Sequence, residues 1–139
     1  MGVIYADIRL SNAAKPELEE LTVTALVDSG AIDLVIPETL AAQLHLGDLT
    51  PREVRLADGR RRTVRYVGPV LVRAHGRDCM TSALVTGDQV LLGAIPMEAM
   101  DMIVHPRLQQ LVPNPENPEL PGALLMAAMR AEAASCEQA

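Results

Sequence analysis

Ala25-Leu26-Val27-Asp28-Ser29-Gly30-Ala31-Ile32-Asp33-Leu34-Val35 is the stretch on which the fold turns. A β-prone apolar run arrives at a carboxylate, a hydroxyl and a glycine in consecutive positions, and the apolar pattern resumes at once. Asp, Ser and Gly together read as a tight turn between two strands, because the short polar side chains bond to nearby backbone and Gly tolerates close backbone approach. Such a turn places Asp28 at a fixed point between two buried strands.

Outward from this turn the chain alternates between short strands and turns. Val3 to Leu10 reads as one strand and Leu18 to Val27 as a second, leading into the triplet; Ala31 to Ile36 leads away from it. Pro37 to Leu46 reads as a short helix, with Pro37 at its first position, Gly47 at its end, and Leu40, Leu44 and Ala41 facing the core. Arg52 to Ala57 alternates, with Val54 and Leu56 inward, and Asp58-Gly59 predicts a hairpin turn into Arg61 to Val67. Gly68-Pro69 punctuates. Val70 to Ala74 and Asp78 to Val85 form a second hairpin through His75-Gly76-Arg77. Val90-Leu91-Leu92-Gly93 is a short buried strand, Met97 to Met102 a helical turn or two, and Ile103 to Val104 and Leu108 to Val112 are terminal strands. The regular pattern ends at Pro113. Residues 1–113 are therefore expected to form one domain, and 114–139 a Pro-rich, then Ala-rich tail, either a frayed helix or disordered.

The 139 residues suit a single domain, and 49% of them are apolar. There is no Phe or Trp and only two Tyr, so branched aliphatics and Met must fill the core. The net charge of −6 argues against nucleic-acid binding. That charge is uneven: Met1 to Pro51 holds eight acids and two bases, whereas Arg52 to Arg77 holds eight arginines and two acids. The second segment reads either as a solvated hairpin or as a basic cover that steers acidic ligands. No secretory leader and no apolar run long enough to span a membrane is read, so a cytoplasmic, reducing setting is expected. A disulfide between Cys79 and Cys136 is not expected; Cys79 reads as a small apolar strand residue. His45, His75 and His105 lack the spacing of metal ligands, and no metal or cofactor is expected. Met97, Met100 and Met102 read as core filling, and Asp101 as a cap or turn residue.

Three features resemble the retropepsin-like aspartic proteases, the clan that includes the retroviral enzymes, and particularly its short bacterial members. These are Leu26-Val27-Asp28-Ser29-Gly30-Ala31, the hairpin turning at Asp58-Gly59, and Val90-Leu91-Leu92-Gly93 followed by a short helix. Together they span Val3 to Val112. The resemblance implies a mainly β fold, a small closed barrel with a flap hairpin and one or two short helices. It implies that Asp28 is the catalytic carboxylate, Ser29 an interlocking hydroxyl and Gly30 part of the same catalytic turn. Gly30 and Ala31 would flank the substrate backbone, and Asp33 would face a substrate side chain. Leu91 would line a subsite wall, with Asp58, Gly59 and Arg60 at the flap tip.

The chemistry needs two carboxylates sharing one proton, one acting as base toward water and one as acid. The chain holds one such triplet. The expectation is therefore a homodimeric peptide hydrolase, its site on the two-fold axis, acting on a peptide or protein. The alternative is a catalytically silent dimer that binds a peptide or partner in the same cleft. Many retroviral members carry an acid after the Ala and an Arg after the second glycine; here Ile32 and Ala94 stand there. Both charges are absent together, the change a buried ion pair tolerates best.

Overall fold

The computed structural model describes residues 2–125. Nine strands and two short helices are found among them, in the order β1 (Tyr5–Asn12), β2 (Leu21–Val27), β3 (Leu34–Ile36), α1 (Glu38–Gln43), β4 (Gly47–Arg55), β5 (Arg61–Ala74), β6 (Arg77–Val85), β7 (Val90–Leu92), α2 (Ala94–Ala99), β8 (Met102–His105) and β9 (Gln110–Pro113). The main sheet runs β1-β2-β7-β3-β6-β5-β4. β1 also pairs with β5, from Arg9 opposite Arg73 to Asn12 opposite Val70, and this closes six strands into a barrel. β4 lies outside the ring, paired only to β5, so the β4–β5 hairpin projects from the barrel. The expected mainly β, closed-barrel fold with two short helices is the one found.

Alternation explains the wall. In β1, Ala6, Ile8, Leu10 and Asn12 point inward and are buried, while the residues between them face out or sit half-buried. β3 lies between β6 and β7 and is buried at all three positions, Leu34 and Ile36 in the core and Val35 on the opposite face. Ile8, Leu10, Leu34, Ile36, Leu44 and Leu92 are almost wholly withdrawn from water. Each such side chain contributes about 1.5–3 kcal/mol through burial. Met97, Met100 and Met102 are buried with them, as expected of core filling.

Several boundaries differ from the sequence expectations. The helix after β3 is shorter, with Pro37 as its extended N-cap residue rather than its first helical residue. Its end is marked by His45, at φ 51°, and not by Gly47, which opens β4. Asn12 makes this possible: its Nδ2 donates to the carbonyls of Leu44 at 2.9 Å and His45 at 3.0 Å, partnering acceptors the finished helix leaves free. Gly68-Pro69 does not separate two strands. β5 runs through it, and the ladder to β6 absorbs the missing Pro N–H by shifting register between Val67 and Val70. α2 begins at Ala94 rather than Met97, directly after Gly93, and Met100 is already its C-cap.

Asp101 is more than a cap. Its backbone has φ 52°, and its carboxylate accepts from Asn114 Nδ2 at 3.1 Å, Asn117 Nδ2 at 2.8 Å and the Gly122 N–H at 2.8 Å. The buried Arg77 donates to the Asp101 carbonyl at 2.8 Å and to that of Asn117. These bonds fasten residues 114–122 to the barrel, where the sequence suggested a tail. The expectation of a frayed helix or disorder beyond them falls largely on residues 126–139, which lie outside the described residues.

Candidate active site

β2 delivers Asp28 to the end of the barrel. The Asp28 N–H donates to the Leu92 carbonyl at 3.0 Å, so the turn begins where β2 leaves its parallel ladder with β7. Asp28 Oδ1 accepts from the Gly30 N–H at 2.9 Å, and the Ala31 N–H returns to the Asp28 carbonyl at 3.1 Å. The first bond orients the carboxylate of the half-buried Asp28, and the second closes the turn through the backbone. A Cβ on Gly30 would sit 3.1 Å from that same oxygen, so a side chain there would crowd the carboxylate. Ser29 is exposed at the tip.

The loop after the triplet is stapled to the start of α2. The Ala94 N–H donates to the Ala31 carbonyl at 2.9 Å, and the Ile95 N–H to the Ile32 carbonyl at 2.8 Å. The two segments that carry the retroviral ion-pair positions, Ile32 and Ala94, are thus joined here through backbone, with Ile32 left 66% exposed and Ile95 44% exposed.

A cleft of about 530 Å³ opens between this loop and the β4–β5 hairpin. Of the expected site residues, Gly30, Ala31, Asp33 and Leu91 line it. Asp28 and Ser29 stand beside it on the same turn. Asp58, Gly59 and Arg60 do not reach it. They form the hairpin tip, where Gly59 has φ 86°, the Leu56 N–H donates to the Arg60 carbonyl at 2.7 Å, and Arg60 Nε bonds Asp58 at 2.6 Å. With residues 52–56 and Arg62 of the hairpin, the cleft is also lined by Val35, Val64, Leu84 and Thr86. None of these four was singled out from sequence, because strand alternation marks them only as apolar or solvent-facing. Their convergence follows from β3 pairing with β6, an association between distant segments.

The hairpin sorts its arginines by face. Cross-strand partners share a face. Arg52 lies opposite Val64, and Val54 opposite Arg62, so these four look into the cleft. Arg61 and Arg65 fall on the other face. There Arg61 pairs with Glu53 at 3.5 Å, and Arg65 pairs with Asp48 at 2.8 Å and with Glu38. The segment is therefore not one basic surface. Arg52 lies over the Tyr66 ring, 4.1 Å from its centroid, and also donates to the Thr50 carbonyl. Asp33 is half-buried, and burial pushes its carboxyl above the usual range, with Arg52 partly offsetting this.

Among the described residues no group of three or more His, Cys, Asp or Glu is placed to hold one metal ion, and no helix is long and apolar enough to cross a membrane. A larger cavity, about 970 Å³, lies between α2, β8 and the 114–124 segment. It contains none of the expected site residues, and the irregular chain crossing it forms much of its wall.

None of the curated proteins searched matches the chain. The family described as Aspartyl protease does match, over residues 14–93, a span that carries the Asp28 turn, the projecting hairpin and Gly93. That match covers more than half of the sequence, and on it the chain belongs to the aspartyl protease family.

Proposed function

We propose that the protein is a homodimeric aspartic endopeptidase, with one Asp28 from each chain at a shared site on the two-fold axis. The observation that carries this is the Asp28 carboxylate, oriented by the Gly30 N–H beside a largely apolar cleft, in a chain with one such triplet and in a peptidase family. A single carboxylate cannot be base and acid at once. Two of them close together share one proton, because both cannot ionise at that separation. The ionised partner takes a proton from water as it attacks the scissile carbonyl carbon. The protonated partner supplies the proton that lets the amine leave.

Other residues take supporting roles in this reading. Ser29, exposed at the tip, would reach across the axis and lock the two turns. Gly30 and Ala31 would run beside the substrate backbone, Asp33 and Leu91 would face its side chains, and the Asp58-Gly59-Arg60 tip would cover it as a flap. Ile32 and Ile95 support dimer formation: two branched apolar side chains left open beside the catalytic turn favour coverage by a second copy.

The test is Asp28→Asn in a peptide-library cleavage assay across acidic to neutral pH, with sedimentation of both proteins. Wild type should sediment as a dimer and cleave. The variant should stay folded and dimeric, with cleavage lower by about 1,000-fold. A strictly monomeric wild type at high concentration, or undiminished cleavage by the variant, would sink the proposal. A dimer that binds peptides without cleaving them would point to the silent alternative.

A further inference from the structure

Two arginines that line the cleft, Arg55 and Arg62, make no ion pair among the described residues. Arg62 faces it, opposite Val54, and its guanidinium makes one side-chain bond, from Nη2 to the Thr86 hydroxyl. Thr86 is a neutral acceptor, so it orients the guanidinium and leaves its charge in place. Among the described residues Arg62 makes no ion pair. The other hairpin arginines are placed differently. Arg60, Arg61 and Arg65 are paired with carboxylates. Arg52 is turned onto Tyr66 and the Thr50 carbonyl and feels the charge of Asp33. Arg55 also lines the cleft, but it stands opposite Arg61 at the end of β4 and makes no side-chain hydrogen bond among the described residues that would orient it.

Around Arg62 the walls are aliphatic: Val54, Leu56, Val64, Leu84 and Leu91. A guanidinium fixed at one nitrogen keeps other N–H groups free, and its planar fork matches a carboxylate better than any neutral group. Arg62 itself is exposed, so water screens part of that attraction, while the aliphatic walls reward an apolar neighbour.

We propose that Arg62, oriented by Thr86, is a specificity-determining residue that anchors an acidic side chain of the substrate, so that the cleft selects peptides carrying Asp or Glu next to aliphatic residues. This rests on the peptidase reading above for its substrate class, but the selection is a property of binding and is tested as such. Two carboxylates oppose it, Asp33 in the cleft and Glu53 at its border. Glu53 is already matched by Arg61, and Asp33 by its proximity to Arg52.

The probe is a set of fluorescent nonapeptides of Val, Leu and Ala. Each carries a single Glu at one position, with a matched set carrying Gln. Their binding is read by anisotropy on the Asp28→Asn protein, so that no peptide is consumed, at low and high salt. One Glu position should bind about tenfold tighter than its Gln match, the size of a charge-assisted bond. The preference should shrink with salt. In an added Arg62→Gln change it should vanish while the Gln peptides bind as before, and Arg62→Lys should restore part of it. Thr86→Val should weaken it, since the guanidinium would lose its orientation. Arg55→Gln removes the second unpaired charge of the cleft, which lacks the Thr86 tether, and should cost much less of the preference than Arg62→Gln.

Equal binding of every Glu and Gln peptide, or an Arg55→Gln loss as large as that of Arg62→Gln, would overturn the inference. Cleavage of the same peptides by wild type is scored separately. Selective binding without cleavage would sink the peptidase reading and keep the anchor; cleavage with no preference for Glu would do the reverse.

Discussion

Gly93 lies against the backbone of Asp33 so closely that a Cβ on it would stand 2.2 Å from the Asp33 carbonyl oxygen, and 2.7 Å from that of Ala31. The loop bearing Asp28 and the loop entering α2 touch backbone to backbone, with no room for a side chain between them. This contact, with the two hydrogen bonds from Ala94 and Ile95, fixes the Asp28 turn relative to the cleft.

Gly93→Ala should therefore separate the two loops. The obstruction is rigid backbone, so the cost should fall at the upper end for overpacking, about 3 kcal/mol. Urea unfolding of the variant beside wild type measures it. Peptide binding at the cleft should weaken as well, because Ala31 and Asp33 move with the loop.

Asn12 offers a second test. It is 3% exposed, donates to the carbonyls of Leu44 and His45, and accepts from the Ala14 N–H at 2.9 Å. Leu fits a site of this size but leaves these groups without partners. Asn12→Leu should destabilise by about 2–4 kcal/mol, since each stranded buried group costs about 1–3 kcal/mol. The midpoint of urea unfolding should fall, with an unchanged slope.

The clamp at Asp101 predicts an acid dependence. The Gly122 N–H first, then Asn114 and Asn117, with Arg77 beyond them, hold its carboxyl below the ordinary value of 3.8. The unfolded chain then takes up this proton more readily than the folded one, so the stabilisation is present above 3.8 and lost as pH falls through the lower folded value. Thermal unfolding of wild type and Asp101→Asn should differ most near neutral pH and converge in strong acid. A difference that widened toward acid would contradict the sign.

Cys79 should be unreactive in the native state. Burial pushes its thiol up to about 11, with the charge of Asp78 acting in the same direction. Its Sγ lies 3.8 Å from the Pro96 carbonyl. In a Cys136→Ser protein, a disulfide reagent at pH 8 should label less than one thiol per chain over the time in which denatured protein labels fully. Rapid native labelling would place Cys79 outside the core.

The sequence alone determined the parts set by neighbouring residues. Asp28-Ser29-Gly30 is a turn because its residues bond to their own backbone. Asp58-Gly59 turns the hairpin because Gly tolerates a positive φ. Val3 to Leu10 reads as a strand, and its buried face in the barrel includes Ala6, Ile8 and Leu10. The single Asp28-Ser29-Gly30 triplet and the apolar strand before Gly93 also stood open to reading. What tertiary structure decided depends on residues far apart in the chain. Nothing local says that Asn12 will finish a helix at Leu44, that β1 will close on β5, or that Asp101 will hold Gly122. Pro69 reads as a strand breaker until β6 pairs around it with a shifted register. The arginines between 52 and 65 read as one basic run until the hairpin's register sends Arg61 and Arg65 to carboxylates and Arg62 to the cleft. Turns and alternation are set over a few residues by backbone sterics and side-chain period, whereas closure, clamps and cleft walls are set by which buried surfaces fit together. Only the packed barrel decides that fit.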